Sequence, residues 1–305
     1  MRALRFVSQL GFELDDETLQ QMRAEAASVR LVSAERIGGG LAADGMGELS
    51  KLLLGSQPRA ALRIARDTGV LVEVLPEFER AIGFDQESRY HDLTVDEHTF
   101  AVVQATADLG RALPVRLAAL FHDLGKPHVA WRGTDGRLHY YAKPGYADRN
   151  HEQVGAELAG EAMRRLRYPN ALRERVCRIV RHHMFQVGKA DDVRARRFLS
   201  RYGDELALQL VDHKEADYLG KRTEESEPVS SDVEAVRRFR KTIERERTQP
   251  HRLADLAIDG SDLIELGMAP GPEIGRILHE LLREVVEDPS RNERETLLQL
   301  ASRHR

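Results

Sequence analysis

The 305-residue sequence predicts an all-α protein. Three observations carry that expectation. Apolar residues recur at helical spacing along most of the chain. Period-2 alternation is not sustained anywhere, and there is no internal repeat. Helix start and stop signals such as Ser33, Pro114 and Gly125 punctuate the periodic segments.

The elements follow in order. Residues 2–10 and 16–30 read as two short amphipathic helices joined at Gly11-Phe12. Ser33 caps a helix start in Ser33-Ala34-Glu35-Arg36, and Gly38-Gly39-Gly40 interrupts it. Periodicity resumes over 46–54 and 58–68, and 70–75 stays apolar up to Pro76. Residues 90–94 are extended or loop. A long helix runs from Val95 to about Leu109, and Pro114 opens another over 115–124, which stops at Gly125-Lys126-Pro127. Residues 128–149 form a loop with a short hairpin around Thr134-Asp135-Gly136. Helices are expected over 151–166, 171–184, 192–202 and 205–219. A polar linker covers 221–231, and a basic helix 232–247. Residues 251–305 form a small helical unit turning at Gly267 and Pro270-Gly271-Pro272.

Length and composition bound the rest. A chain of this size suggests two or three domains. With 41% apolar and 31% charged residues it has a globular, not a disordered, profile. A single cysteine, Cys177, allows no internal disulfide and points to a reducing compartment. Arg2 and Arg5 break the apolar start too early for a signal peptide, and no apolar run reaches membrane-span length. The expectation is a cytoplasmic protein with no membrane partner. Net charge is −4 overall, but residues 1–100 sum to about −6, residues 101–252 to about +7 and residues 253–305 to about −5. The basic middle is mostly Arg, which suits a polyanionic partner. Solvated Arg-rich helix faces from a high-GC genome explain it equally well.

The chemistry-bearing residues stand in one helical stretch. They are His98, the doublet His122-Asp123, His151, the pair His182-His183, and Asp217. Imidazole and carboxylate are ligands for a divalent metal, and phosphoester hydrolysis needs one to activate water and neutralise phosphoryl charge. His122 and Asp123 follow Leu117-Ala118-Ala119-Leu120-Phe121. Two ionisable groups in so apolar a helix are costly unless paired or metal-bound. A core histidine with a capping aspartate is the alternative for the doublet taken alone. Lys126 either contacts a substrate phosphate or is an ordinary last-turn cation.

On His98, His122, Asp123 and Asp217 this stretch resembles the HD superfamily of metal-dependent phosphohydrolases. The resemblance implies a multi-helical bundle and a divalent ion, not distinguished among Mg, Mn, Fe, Co, Ni and Zn. It makes Asp123 and Lys126 the catalytic candidates. His151, His182 and His183 match the extra histidines of two-metal HD proteins, in which Asp123 would bridge the ions. Against that, His151 also reads as a surface residue at a helix start, and adjacent His182 and His183 point about 100° apart.

The flanks resemble the bacterial tRNA nucleotidyltransferases and poly(A) polymerases. Arg2-Ala3-Leu4-Arg5-Phe6, Leu10-Gly11-Phe12 and Ser33-Ala34-Glu35-Arg36 resemble their neck, and Tyr90-His91-Asp92 leads into the HD block. Gly260-Ser261-Asp262-Leu263 and Gly267 to Pro272 resemble their body and tail. The resemblance implies three parts: a neck over 1–88, the HD phosphohydrolase domain over 89–225 and a body/tail over 226–305. It also implies tRNA, other RNA or nucleotides as partners. Candidate phosphate contacts are Arg2, Arg5 and Arg36 in the neck, Arg164, Arg165 and Arg181 beside the histidines, and Arg237, Arg238, Arg240 and Lys241 on the basic helix. Aromatic residues are only 6%, so phosphate and shape readout suit the chain better than base reading.

The family's Gly-Gly-x-x-Arg-Asp loop and Asp-x-Asp pair are not in this sequence. Gly38 to Asp44 is superficially similar to the loop but lacks its Arg and the preceding strand. The expectation is that this chain alone does not add nucleotides and that a separate nucleotidyltransferase head is a possible partner. Two readings follow: an HD phosphohydrolase of nucleotides or RNA ends, or the RNA-binding portion of a CCA- or poly(A)-adding enzyme. A scaffold without activity is the plainest third.

Overall fold

The helix Leu113–Phe121 is the element around which the first half of the protein is organised. Every residue from Val115 to Phe121 is buried. A helix apolar on all sides must be surrounded, and this one is packed by Val95–Asp108, Asn170–His182 and Glu48–Leu53. Arg116 is the exception in its sequence, and its contacts explain it. Its Nη1 donates to the carbonyls of Leu53 (2.7 Å) and Gly55 (3.1 Å), and its Nε donates to that of Arg111 (2.7 Å). The guanidinium thus serves carbonyls that the ends of neighbouring segments leave without a partner.

The computed structural model describes residues 1–42, 44–87, 93–141, 149–221 and 231–303. Tyr90-His91-Asp92 and the core of the expected linker, 222–230, lie outside the described residues. Among those described are seventeen α-helices, four short 3-10 turns and one two-stranded hairpin, so the fold is all-α. None of the helices is long and apolar enough to cross a membrane. Residues form two compact units: Met1–Phe185 with Asp212–Val233, and Gln186–Val211 with Glu234–Arg305. The helix Asp204–Gly220 contributes to both.

In the first unit Arg2–Leu10 packs on Glu48–Leu53 and Pro58–Asp67, and His151–Arg165 pairs with Asn170–His182 as a helical hairpin. In the second, Asp192–Tyr202 packs on Pro272–Glu287. Ile258, Leu263, Ile277, Leu281, Val285, Leu297 and Ala301 form the C-terminal core.

Most start and stop signals act as expected. Gly11 ends the first helix in the left-handed region (φ 68°), and the side chains of Asp15, Ser33 and Asp191 cap the helices that follow them. The hairpin pairs Trp131–Arg132 with Leu138–His139 around the expected turn. Two expectations are corrected. The segment 16–30 is not one helix: Asp16–Ala24 ends at Glu25, and Ala26–Leu31 tightens into a 3-10 turn packed on Val70–Val74, a tertiary contact overriding local propensity. The helix expected to carry the doublet stops at Phe121: the Ala119 carbonyl, which would take the Asp123 N–H in a continued helix, accepts from His122 Nδ1 (2.9 Å), and the Leu124 N–H turns back to the Phe121 carbonyl (3.3 Å).

Gly38-Gly39-Gly40 owes its composition to packing. Gly39 donates its N–H to the Leu166 carbonyl (2.9 Å), and a Cβ at Gly39 would sit 1.8 Å from the Arg167 carbonyl oxygen. All three glycines are buried, Gly38 and Gly39 against the 166–168 turn, whose Tyr168 hydroxyl meets Ser50 at 2.9 Å, and Gly40, at φ 76°, against Asp44 and Met46. The triplet docks one helical layer on another.

Candidate metal centre

Five segments of the first unit bring their polar residues to one place. His98 lies one turn into Val95–Asp108. His122 and Asp123 occupy the turn after Leu113–Phe121. His151 begins His151–Arg165, with Asn150 and Gln153 forming a capping box. His183 caps Asn170–His182 at its C-terminal end, and Asp217 comes from Asp204–Gly220. Gly125 permits the convergence: a Cβ there would lie 2.0 Å from the His151 carbonyl oxygen and 2.7 Å from the Gly155 nitrogen. Gly125→Ala must therefore push the 122–126 turn off the His151 helix. It is expected to destabilise the protein by about 1–3 kcal/mol in urea unfolding and to weaken divalent-ion binding in calorimetry.

The backbone sets the tautomer of each imidazole. The Nδ1 atoms of His98, His122, His151 and His183 face the carbonyls of Gly220 (3.3 Å), Ala119 (2.9 Å), Tyr140 (3.0 Å) and Val180 (2.7 Å). A carbonyl only accepts, so Nδ1 carries the proton and the neutral ring offers its Nε2 lone pair. Those Nε2 atoms meet in pairs, His98 with His122 at 3.4 Å and His151 with His183 at 3.4 Å. Two nitrogens bound to a tetrahedral ion at about 2.0–2.1 Å lie about 3.4 Å apart, so each pair fits a cation between its lone pairs.

A carboxylate completes each group, giving the buried triads His98–His122–Asp217 and Asp123–His151–His183. Asp217 Oδ1 is 3.2 Å from His98 Nε2 and 4.0 Å from His122 Nε2. Asp123 faces both triads: Oδ2 lies 3.2 Å from His122 and 3.5 Å from His98, while Oδ1 lies 3.7 Å from His151 and 3.8 Å from His183. His182, next to His183, belongs to neither triad.

Burial and charge put these groups in the protonation states a metal requires. Burial pushes the imidazoles of His98 and His151 down and that of His183 well down, so the rings are neutral at pH 7. Burial alone would raise the Asp123 and Asp217 carboxyls, but the Lys126 ammonium holds the first, and the Lys221 and Lys214 ammonium groups the second, well below the usual range. Lys126 Nζ donates to Asp123 Oδ2 and to Gln86 Oε1, both at 2.7 Å, and Lys221 Nζ is 3.4 Å from Asp217 Oδ2.

His213 is a residue of this centre that the sequence reading does not anticipate. It is fully buried, its ring centroid lies 5.1 Å from that of His122 and 5.7 Å from that of His183, and neither nitrogen has a hydrogen-bond partner among the described residues. Burial pushes it down to about 3, so it is neutral. A readable signal existed: His213 and Asp217 stand four apart, on one helix face.

Above the triads opens a cavity of about 330 Å³, lined by Asp123, His151, His183 and Asp217, by Lys126 and Lys221, and by the stretch Leu138–Tyr141. The expected phosphate-contacting cations divide into two groups. Arg5, Arg165, Arg237 and Arg240 are engaged by Glu48, Glu77, Glu234 and Glu244. Arg2, Arg36, Arg164, Arg181, Arg238 and Lys241 are exposed.

Comparison with known proteins adds the lineage. Residues 95–222 match the HD domain, and residues 11–82 match the probable RNA and SrmB binding site of polymerase A. The chain is 31% identical to the A-adding tRNA nucleotidyltransferase of Deinococcus radiodurans over 92% of its own length and 62% of the relative's. It is 31% identical to the CC-adding tRNA nucleotidyltransferase of Thermus thermophilus over 94% of its length and 62% of the relative's. It is 34% identical to the multifunctional CCA protein of Neisseria gonorrhoeae over 61% of its length and 43% of the relative's. The chain thus spans about three fifths of the first two relatives it matches.

Proposed function

Since the chain carries an HD domain and a polymerase-A-type RNA-binding segment and is homologous to the C-terminal portion of the tRNA nucleotidyltransferases, we propose that it hydrolyses phosphoesters of nucleotides or RNA ends at the paired triads, within an RNA-binding scaffold. In this reading residues 1–88 are the neck, 89–225 the phosphohydrolase domain and 226–305 the body and tail. The observation that carries it is Asp123, whose two oxygens face two separate sets of imidazole lone pairs.

His98, His122, Asp123 and Asp217 would hold one divalent ion, and Asp123, His151 and His183 a second. When bound, such ions polarise a phosphoryl oxygen and lower the pKa of water. The chain's own residues do the rest. Backbone carbonyls keep the four Nε2 atoms aimed inward, so the ring orientations are set before an ion binds. Lys126 and Lys221 offset the charge of Asp123 and Asp217. Once cations balance those carboxylates, the ammonium charges at the cavity are left to an anionic substrate. Lys126 stands next to the bridging carboxylate and is the group placed to hold a phosphate oxygen. The test is phosphate release from nucleoside monophosphates and from RNA with a terminal phosphate. Chelation should abolish it and a divalent ion restore it; chelator-resistant release, or none with any divalent ion, would contradict the reading.

A second activity is favoured by the match over residues 11–82 and by relatives named for tRNA: the chain binds tRNA as part of a nucleotide-adding enzyme. The exposed cations Arg2, Arg36, Arg164, Arg181, Arg238 and Lys241 are its candidate contacts. tRNA affinity should fall steeply with salt, and reversing Arg238 and Lys241 together should flatten that slope by about two ions; an unchanged slope would remove these two residues from the interface.

A further inference from the structure

One wall of the cavity has features that phosphoester hydrolysis does not require. The hairpin strand and its continuation, Leu138–Tyr141, form that wall. Its His139 and Tyr141 make a ring cluster with Trp131 of the opposite strand, with centroids 4.7 Å apart for Trp131 and His139, 5.1 Å for His139 and Tyr141, and 5.8 Å for Trp131 and Tyr141. The indole Nε1 of Trp131 donates to the Tyr141 carbonyl (3.0 Å), so the backbone carrying the Tyr141 ring is held by the strand opposite. Tyr141 is 50% exposed, and Met184 on the same lining is 46% exposed. Apolar surface kept open beside two ammonium groups and two carboxylate-bearing triads suits a ligand with a flat apolar part and an anionic part. A flat heteroaromatic face gains most from an aromatic ring held in place beforehand.

Resting on the phosphohydrolase reading, we infer that Tyr141, backed by Trp131 and His139, is a nucleobase-stacking platform that selects nucleoside phosphates over phosphoesters without a base. The phosphate would lie toward Lys126 and Lys221 and the base against Tyr141. The cavity volume falls within the range of small-ligand pockets. Stacking on an aromatic ring is tolerant of base identity, since every base has a π-face. The platform therefore predicts preference for a nucleotide, not for one base.

The test compares binding of two non-hydrolysable probes to the full chain, the methylene phosphonate of AMP and that of ribose 5-phosphate. Calorimetry gives the affinities, and fluorescence of Trp131, the chain's one tryptophan, reports on the platform. The AMP analogue should bind roughly 5- to 100-fold more tightly and change the fluorescence. Tyr141→Ala should bring the two affinities together while leaving the ribose analogue unaffected, and Tyr141→Phe should retain the preference. Equal binding of both probes by the unaltered chain would overturn the platform and leave the phosphate site standing. Binding of neither probe, nor of inorganic phosphate, in the presence of a divalent ion would remove the phosphohydrolase reading as well.

Discussion

Replacing Asp123 by Asn is expected to reduce divalent-ion affinity by more than about 100-fold and phosphate release by about three orders of magnitude, while the fold persists. The carboxylate serves two triads, through Oδ2 at 3.2 and 3.5 Å and through Oδ1 at 3.7 and 3.8 Å. An amide keeps the shape but offers one acceptor oxygen, and its NH2 group cannot take the second position. The negative charge that balances a bridged pair of cations is lost at the same time. One substitution therefore damages both halves of the centre, whereas His98→Ala or His183→Ala removes a ligand from one triad only. Calorimetric metal titration beside steady-state hydrolysis checks this. A variant that binds and hydrolyses normally would mean that Asp123 does not bridge.

Arg196→Met is expected to destabilise the second unit by about 3–5 kcal/mol, read as a fall in the urea midpoint. Arg196 and Glu246 are both buried and meet at 2.6 Å. The same guanidinium donates to the carbonyls of Val286 (2.7 Å) and Glu287 (3.1 Å), at the end of Pro272–Glu287. Removing it leaves a buried carboxylate and two helix-terminal carbonyls short of a donor at once. Arg196→Lys should recover little, because a point charge cannot reproduce the fork. Arg196→Met combined with Glu246→Leu should recover much of the loss, because the buried carboxylate that Arg196 leaves behind, met from the surface by Arg245 (3.1 Å), is gone.

The sequence made the periodic and punctuated elements legible. Asp192–Tyr202 has the bounds its pattern indicates, with Asp191 as the cap, and Pro58 and Pro272 stand in the first turns of their helices. The candidate ligand positions were legible as residue types in order along the chain. What was not legible depends on partners distant in sequence. Which of His182 and His183 faces the centre follows from the Val180 carbonyl and the packing of Asn170–His182. The helix ends before the doublet where the Ala119 carbonyl meets the His122 ring, which the 115–124 pattern does not show. Gly39 is small because of a carbonyl contributed by Arg167. The basic clusters overstate the available positive charge, since Arg5, Arg165, Arg237 and Arg240 meet carboxylates. His213 escaped because it stands beside Asp212, Lys214 and Glu215, where a histidine reads as part of a solvated helix face.

The paired triads make one claim that a single measurement addresses most directly: the number of divalent ions bound per chain. Elemental analysis of the full chain after equilibration with Mn²⁺ and desalting should give close to two ions for the unaltered protein. It should give close to one for His183→Ala and close to none for Asp123→Asn. Absence of retained ion in the unaltered protein, or equal retention in all three, would contradict a metal centre built on Asp123.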